Sequence, residues 1–294
     1  MMDGMSVRKG VSINEYKSKG TLRFLYNTAV GRLFLGILKR RGVSRLIGRF
    51  LNSRASRIML GGFCKSANID LSQTERTQLK QYKSYNDLFT RVIRPDCRPI
   101  DRTLEHLIAP CDGGLTAYAI DDDSSFFIKG GEYSLADMLG EAELAKQFVG
   151  GTCLIFRLEI CDYHRYCYID DGHKGEDWSL GSELHTVQPI AMKRYNIYKR
   201  NYRVCSVMQT KNFGTVAEVE VGAMCVGRIE NHLKTGSFVR GEEKGLFEMG
   251  GSTIVLLIKA GAAKIDEDIL CNTAQNRETP VRMGERIGTS LISS

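Results

Sequence analysis

Two glycines stand directly before a hydroxyl residue near the end of the chain, in the run Gly250-Gly251-Ser252-Thr253. A continuously apolar run follows at 254–258 and predicts a strand that is buried on both faces. Glycine tolerates positive φ and the close approach of other groups, so such a junction can hold a strained peptide whose carbonyl lies against the neighbouring hydroxyl. If a base removes the Ser252 proton, the oxygen can attack the Gly251 carbonyl and turn the peptide bond into an ester. The same residues also fit an ordinary turn before a strand.

The ester can then react in a second step. Elimination across Ser252 would expel the Gly251 carboxylate and leave dehydroalanine, which hydrates and loses ammonia to become an N-terminal pyruvoyl group. The chain would then carry a cofactor made from its own residue 252, and this chemistry requires no metal.

The attack needs a base and a group that orients the base. The chain has five histidines, of which His164 follows a strand-like run at 153–158, where a sheet edge would present it. Asp112 stands in an Asp-Gly turn and is the candidate carboxylate. Alone, His164 also fits a hydrogen-bonded structural histidine and Asp112 a solvated turn. The spacing does not join the three residues.

The positive charge is concentrated near the start of the chain. Residues 17–57 carry eleven Lys or Arg and no acid, although the net charge of the whole chain is only +7. Apolar residues there recur at helical spacing opposite three arginines, which predicts a basic amphipathic helix. The apolar positions are Val43, Leu46, Ile47, Phe50 and Leu51, and the arginines are Arg41, Arg45 and Arg49.

Three settings fit this helix. It suits the headgroup layer of an anionic membrane, and it also suits nucleic acid or an ordinary packed surface. The chain has no recognisable zinc, RNP or homeodomain-type signature, which argues against nucleic acid. Its longest apolar run is far shorter than the roughly 20 residues that span a bilayer.

The composition is that of a globular protein, 43% hydrophobic and 26% charged. Nine single cysteines without a C-x-x-C pair suggest neither a disulfide framework nor a zinc site, and they favour a reducing compartment. Residues 72–75 have the pattern of a capping box and predict a helix that continues to about residue 85.

Beyond residue 100, short strand-like runs alternate with glycine turns, at 153–158, 204–208, 215–221 and 252–258. In the run 215–221 apolar residues alternate with Glu218 and Glu220, which predicts a half-buried strand. The sequence therefore predicts an α+β protein with a helical, basic region at 1–85 and a β-rich catalytic domain at 86–294.

Taken together and in this order, the motifs resemble the phosphatidylserine decarboxylase family over roughly residues 85–290. The matching segments are Phe89-Thr90-Arg91 with Arg98-Pro99-Ile100, Ala109-Pro110-Cys111-Asp112-Gly113, Ile128-Lys129-Gly130-Gly131-Glu132-Tyr133-Ser134-Leu135, Asp162-Tyr163-His164-Arg165, His185-Thr186-Val187-Gln188-Pro189, Asn201-Tyr202-Arg203-Val204, and the runs 221–227 and 244–253.

The resemblance implies a proenzyme that cleaves itself between Gly251 and Ser252 into a large subunit, 1–251, and a small pyruvoyl subunit, 252–294. Ser252 would become the pyruvoyl group, with Asp112 and His164 as charge-relay partners. The pyruvoyl group would form a Schiff base with phosphatidylserine and release carbon dioxide and phosphatidylethanolamine. His164 is also the natural donor of the proton that replaces the lost carboxyl group.

The same resemblance implies the assembly and location of the protein. The two fragments would form a heterodimer that shares one sheet, and a homodimer of these pairs is expected. The N-terminal helices would bind phosphatidylserine in an anionic membrane, peripherally and at the cytoplasmic face of the cell membrane. Neither nucleic acid nor a metal is expected as a partner.

One position departs from the family pattern. The family commonly has a second histidine three residues after the first, and this chain has Cys167 there. Cys167 could act as a thiolate or be a buried bystander, so the decarboxylation step falls to either His164 or Cys167. Two other functions remain open, namely a pyruvoyl decarboxylase of a free amino acid and an unprocessed lipid-surface binding module.

Overall fold

The structure, a computed structural model, describes residues 7–13, 20–123, 125–128, 131–186, 190, 197–223, 228–249 and 252–292. The two glycines of the proposed junction, Gly250 and Gly251, lie outside these ranges. So do parts of the segments 128–135, 185–189 and 221–227 that carry the family resemblance.

The described helices lie mostly in the first 90 residues. In chain order they are α1 Gly20–Asn27, α2 Ala29–Leu38, α3 Arg41–Asn52, α4 Leu60–Ser66, α5 Tyr85–Phe89, α6 Leu135–Leu139, α7 Ala142–Lys146, α8 Ile197–Arg200 and α9 Glu267–Ala274. The predicted basic amphipathic helix is α3. The helix α2 begins where the Thr28 side chain accepts a hydrogen bond from the Gly31 N–H, which satisfies one of the free donors of its first turn.

The helix predicted from the capping box at 72–75 is wrong. The chain forms a short 3-10 turn at Leu71–Gln73, in which the Asp70 side chain accepts the Ser72 N–H at 2.9 Å. Thr74 is then extended and pairs with Ile93 in an isolated bridge. The Asp70 carboxylate caps the turn before Ser72 can act as the first residue of a helix, and a true helix begins only at Tyr85.

The strands fill the rest of the chain. They are β1 Val11–Ser12, β2 His106–Ile108, β3 Gly113–Ala119, β4 Ser125–Ile128, β5 Gly131–Ser134, β6 Thr152–Leu158, β7 Arg165–Cys167, β8 Gly172–Lys174, β9 Trp178–Leu180, β10 Arg203–Thr210, β11 Gly214–Val221, β12 Ile229–Asn231, β13 Gly236–Phe238, β14 Glu243–Phe247, β15 Ser252–Ile258, β16 Ala263–Ile265, β17 Arg277–Val281 and β18 Arg286–Ser290. The α+β prediction with a β-rich core is confirmed.

The largest sheet of the described chain has the order β1-β17-β3-β6-β15-β11-β10-β8-β13, with β9 beside β10. All of its pairings are antiparallel. The strand β15 lies near its centre between β6 and β11, and all seven of its residues are buried. Strands from both sides of the predicted junction therefore share this sheet, because β15 and β17 belong to 252–294 and their neighbours belong to 1–251.

A smaller sheet, in the order β12-β14-β7, packs over the β15 face of the large one. Apolar residues of both sheets meet there in one core cluster, which includes Phe247 of β14, Tyr166 of β7 and Ile254 of β15. The short connection 248–251 joins β14 to β15. The predicted junction thus lies where the chain crosses from the small sheet to the large one.

The strand β11 is not half-buried as its alternation predicts. Glu218 and Glu220 are both fully buried, and each contacts the side-chain amine of Lys244, which is also fully buried. The polar face of β11 is covered by the small sheet, and Lys244 from β14 supplies the charge that makes the burial of two carboxylates tolerable.

The N-terminal helices pack onto the β-rich part. Leu25 and Tyr26 of α1 and Leu35 of α2 join the core on one face of the large sheet. A separate cluster combines Leu51 and Leu60 with the residues of α5. The boundary between domains at residues 85 and 86 stays a prediction.

Candidate active site

Ser252 is the first residue of β15 and is completely buried. Its register partner on β6 is Leu158. Within the described residues, the Ser252 hydroxyl has no hydrogen-bond partner. A buried hydroxyl without a partner is unusual, because the missing bond costs about 1–3 kcal/mol. This cost is the kind that functional sites retain.

The chain that enters the junction is held by three backbone bonds. Phe247 N–H donates to the His164 carbonyl at 2.9 Å, and Glu248 N–H donates to the Arg228 carbonyl at 2.9 Å. Met249 N–H donates to the side-chain oxygen of Asn86 at 3.1 Å. These bonds fix Phe247, Glu248 and Met249, the last described residues before the junction.

His164 lies at the same end of the sheet as Ser252. The loop 159–163 connects it to Leu158, the register partner of Ser252, and Phe247 binds its carbonyl from the other side. The imidazole is fully buried, and its centroid lies 4.2 Å from that of the Phe89 ring. Aromatic packing and two short chain connections therefore hold His164 near the junction.

The hydrogen bonding of His164 selects its tautomer. Its Nδ1 lies 3.1 Å from the carbonyl oxygen of Asp162. A carbonyl can only accept, so Nδ1 carries the proton, and the neutral ring keeps its lone pair on Nε2. Nε2 is the atom that can take a proton from a serine hydroxyl.

Asp112 follows β2 and precedes Gly113, the first residue of β3. Gly113 has φ 151°, and a Cβ there would lie 2.8 Å from the Arg157 carbonyl oxygen. The backbone geometry therefore requires a glycine directly after Asp112. The carboxylate of Asp112 accepts from Arg98 Nε at 2.8 Å and Nη2 at 2.5 Å, and from Met283 N–H at 2.9 Å. In the structure Asp112 is therefore paired with Arg98 and not with an imidazole.

A polar cavity of about 430 Å³ connects Asp112 to the histidine loop. Asp112, Arg98 and Asp162 all line it. Burial, with a smaller contribution from the charge of Asp112, raises the pKa of Asp162 to about 6. The charge of Asp112 therefore acts on Asp162 across the cavity, and the carbonyl of Asp162 binds His164.

Arg98 and Asp162 were not singled out as site residues from the sequence. Both stand inside segments that carry the family resemblance, Arg98 before Pro99 and Asp162 two residues before His164. The Arg98–Asp112 contact could not be found from spacing, because it depends on the turn that brings residues 98 and 112 together.

Cys167 is buried in β7, and burial raises the pKa of its thiol to about 12. A thiol of this kind is neutral at pH 7 and is a poor proton donor. Its surroundings favour the bystander interpretation over the thiolate one. Among the described residues, no cluster of three or more His, Cys, Asp or Glu is arranged to hold a metal ion.

Serine, histidine and a carboxylate are the residue types of an acyl-transfer site. The structure places His164 just after the register partner of Ser252 and pairs Asp112 with Arg98. A protein-family model described as phosphatidylserine decarboxylase matches residues 85–289. The chain belongs to the phosphatidylserine decarboxylase family, whose members are carboxy-lyases.

Curated relatives extend the match to most of the chain. Phosphatidylserine decarboxylase proenzyme 2 of Clostridium acetobutylicum is 44% identical over 276 residues, which cover 93% of both chains. The phosphatidylserine decarboxylase proenzyme of Ruminiclostridium cellulolyticum is 38% identical over 287 residues, 96% of this chain and 95% of the relative. That of Clostridium perfringens is 37% identical over 284 residues, 95% and 96% of the two chains.

Proposed function

We propose that the chain is a phosphatidylserine decarboxylase proenzyme that cleaves itself between Gly251 and Ser252. The observation that carries the proposal is the position of Ser252, fully buried at the start of the central strand and beside the loop that carries His164. Membership of the family supplies the reaction class. A denaturing gel and intact-mass measurement of the purified protein test it, with two fragments, 1–251 and 252–294, as the expected result.

In the first step His164 Nε2 takes the Ser252 hydroxyl proton. The Ser252 oxygen then forms a bond to the Gly251 carbonyl carbon, the peptide C–N bond breaks, and the proton passes to the freed nitrogen. Elimination transfers the Ser252 α-proton to a base and releases the Gly251 carboxylate. Water then replaces the nitrogen of the resulting dehydroalanine as ammonia leaves. No oxidant or reductant is needed, because the steps only move protons and acyl groups.

The residues around Ser252 fit the pyruvoyl group that these steps produce. This group supplies a ketone that accepts the substrate amine and the electrons left behind by carbon dioxide. Ser252 and its neighbours on β15 are buried, so the walls exclude water from a carbanion-forming step. His164 is the candidate proton donor to the former α-carbon, since the thiol of Cys167 is a much weaker acid.

The sheet explains how the two fragments remain one protein. The strand β15 is paired along its whole length with β6 and β11, and β17 is paired with β1 and β3. Buried charges also cross between the fragments, since Arg157 binds Glu278 at 2.6 Å and Arg8 binds Asp268 at 2.8 Å. We expect a tight heterodimer of fragments, and the homodimer of these pairs stays a prediction.

The N-terminal helices have an apolar face that the protein does not cover. On α2 four apolar residues at helical spacing are exposed, namely Val30, Leu33, Phe34 and Ile37. Gly31 and Leu35 of the same helix face the core. On α3 only part of the predicted apolar face packs inward: Leu51 is buried, but Leu46 is 68% exposed. The exposed apolar residues of these two helices are Val30, Leu33, Phe34, Ile37, Leu46 and Phe50.

This exposed face, hereafter the α2–α3 face, is flanked by cations. Arg45 and Arg49 of α3 are exposed beside it, and residues 17–57 contain no acid to offset them. Two interactions contribute to binding at a membrane surface. Apolar side chains insert among the lipid headgroups, and cations are attracted to anionic lipid. No described helix has both the length and the apolar content to cross a bilayer. The exposed apolar face and its flanking cations lead us to propose peripheral binding to an anionic membrane, at the cytoplasmic face.

The α2–α3 face also favours a lipid substrate over a free amino acid. An enzyme for a small amino acid has no need of an apolar surface beside its cations, whereas the acyl chains of phosphatidylserine stay in the bilayer. The relatives named above are phosphatidylserine decarboxylase proenzymes, which favours the lipid.

Membrane binding by the α2–α3 face gives a direct test. We expect Leu33→Ser with Phe34→Ser to weaken binding to vesicles of phosphatidylcholine and phosphatidylserine by at least about tenfold, because each buried apolar side chain contributes roughly 1.5–3 kcal/mol. Co-sedimentation measures the affinity. The matched control is Leu104→Ser with Val239→Ser, two exposed apolar residues outside these helices. Equal affinity of the two double variants, or turnover of free serine by a chain that ignores vesicles, would contradict the proposal.

A second test concerns Asp112. We expect Asp112→Asn to slow self-cleavage by roughly 10- to 100-fold, because its charge stabilises the imidazolium that forms when His164 accepts the Ser252 proton. Gel time courses of freshly translated chain measure the rate. Glu278→Gln is a matched control, since Glu278 lines the same cavity and is also paired with an arginine, Arg157. An Asp112→Asn chain that cleaves as fast as this control would remove Asp112 from the site.

A further inference from the structure

Three charged side chains lie in the core without a role in the chemistry above. Lys244 of β14 and Glu218 and Glu220 of β11 are each 0% exposed. The amine of Lys244 contacts Glu220 Oε1 and lies 3.2 Å from Glu218 Oε1. We call these three residues the Lys244 cluster. It is a link between the small sheet and the large one, because β14 and β11 belong to different sheets.

Burying the charges of the Lys244 cluster costs free energy. Two carboxylates share one cation, and among the described residues neither oxygen of Glu218 nor Oε2 of Glu220 has a hydrogen-bond partner. Burial raises the pKa of Glu218, and the charge of Glu220 raises it as well, whereas Lys244 lowers it. A buried ion pair is weak evidence for stability, since apolar residues of similar size often serve as well. The presence of the cluster therefore suggests a geometric task.

The sheet register places the cluster beside the proposed nucleophile. Glu220 is the register partner of Ile254, so their side chains share one face of the sheet. Ser252 stands two residues before Ile254 on the same strand and therefore projects from that face too. Diagonal neighbours of this kind have backbones about 7–8 Å apart. Glu220 thus borders Ser252 on the covered face of the large sheet.

The other half of the cluster lies on the strand that enters the junction. Lys244 stands three residues before Phe247, whose N–H binds the His164 carbonyl. The Lys244–Glu220 contact therefore ties β14, the strand that precedes the junction, to β11, the neighbour of β15.

We propose that Lys244, Glu218 and Glu220 are positioning residues for self-cleavage, and that the Lys244–Glu220 contact holds β14, the strand before the junction, in place over the sheet that carries Ser252. The inference rests on the proposed cleavage at Ser252. Small displacements of a nucleophile from its target cost large factors in rate. The cluster then acts on the first step, formation of the ester, and has no contact with the substrate lipid.

The test uses freshly translated full-length chain. Glu220→Asp keeps the charge but withdraws the carboxylate by one carbon, and we expect it to cleave at least fivefold more slowly at an unchanged folded fraction. Adding Lys244→Arg, whose longer side chain spans the gap, is expected to restore most of the rate. Glu220→Gln is expected to slow cleavage at least tenfold. Hydroxylamine added after quenching is expected to release no fragment from these variants, because no ester has formed.

The control is Asp170→Asn, a fully buried carboxylate away from the junction strands that binds Asn212. Resistance to protease gives the folded fraction of every variant. Wild-type cleavage by folded Glu220→Asp, a loss that follows only the folded fraction as in the control, or no recovery with Lys244→Arg would overturn the inference. Ser252→Ala is run beside them. If it still cleaves, the proposed function fails; if it is blocked while Glu220→Asp cleaves normally, only the positioning role fails.

Discussion

Ser252→Ala is expected to leave the chain as a single polypeptide that releases no carbon dioxide from phosphatidylserine. Alanine has no oxygen to attack the Gly251 carbonyl, so neither the ester nor the pyruvoyl group can form. Replacing the hydroxyl by hydrogen also removes a buried polar atom that has no partner among the described residues, so the fold should be no less stable than that of the parent. Denaturing gels, intact mass and carbon dioxide release measure the result.

A matched control separates the role of Ser252 from the loss of any buried hydroxyl. Ser206 on β10 is also fully buried, and its hydroxyl also has no partner within the described residues. We expect Ser206→Ala to cleave and to turn over normally. Fragments at 1–251 and 252–294 in the Ser252→Ala chain, or a single intact band in the parent that Ser252→Ala leaves unchanged, would remove the basis of the assignment.

His164→Ala is expected to slow self-cleavage by on the order of 10²–10⁴-fold, the usual contribution of a positioned general base. The structure offers no ready substitute, because burial raises the pKa of the Cys167 thiol to about 12. The same gel time course measures the rate, and the folded fraction is checked by protease resistance. Normal cleavage by His164→Ala would show that another group takes the Ser252 proton.

Two companion variants complete this test. His185→Gln is the control, since His185 is also buried and is held by Glu183 and Tyr26 away from the junction. Cys167→Ala is expected to cleave and to decarboxylate like the parent. If Cys167→Ala cleaved normally but lost turnover, Cys167 would replace His164 as the proton donor in decarboxylation.

Strands defined by apolar runs could be predicted from the sequence with good accuracy. The run 252–258 matches the bounds of β15, and 153–158 lacks only the first residue of β6. These segments are apolar throughout and are buried on both faces, so their pattern needs no information from elsewhere. The α+β class and the position of Ser252 at a strand start follow from the same local signals.

Errors arose where a distant partner decides the outcome. The alternation of apolar and acidic residues in 215–221 indicates a strand with one solvent-exposed face. Lys244, more than twenty residues later in the chain, instead allows Glu218 and Glu220 to be buried. The helix predicted from Ser72 fails for a local reason, since Asp70, two residues earlier, caps a short turn. The pairing of Asp112 with Arg98, like that of Lys244 with the two glutamates, depends on a contact between segments. Local pattern cannot register a charge that the fold brings in from another segment.

Because β15 lies near the centre of the large sheet, we expect unfolding of the cleaved protein to be irreversible. A severed chain whose new first strand is enclosed by two neighbours cannot release that strand without losing the whole sheet, so separation of the fragments is equivalent to global unfolding. Once released, the segment Ser252–Ile258 is short, apolar and uncharged, the composition of an aggregating peptide. We expect the uncleaved precursor to refold from denaturant, whereas the persistence of the cleaved enzyme should depend on a slow unfolding rate and not on an unfolding equilibrium.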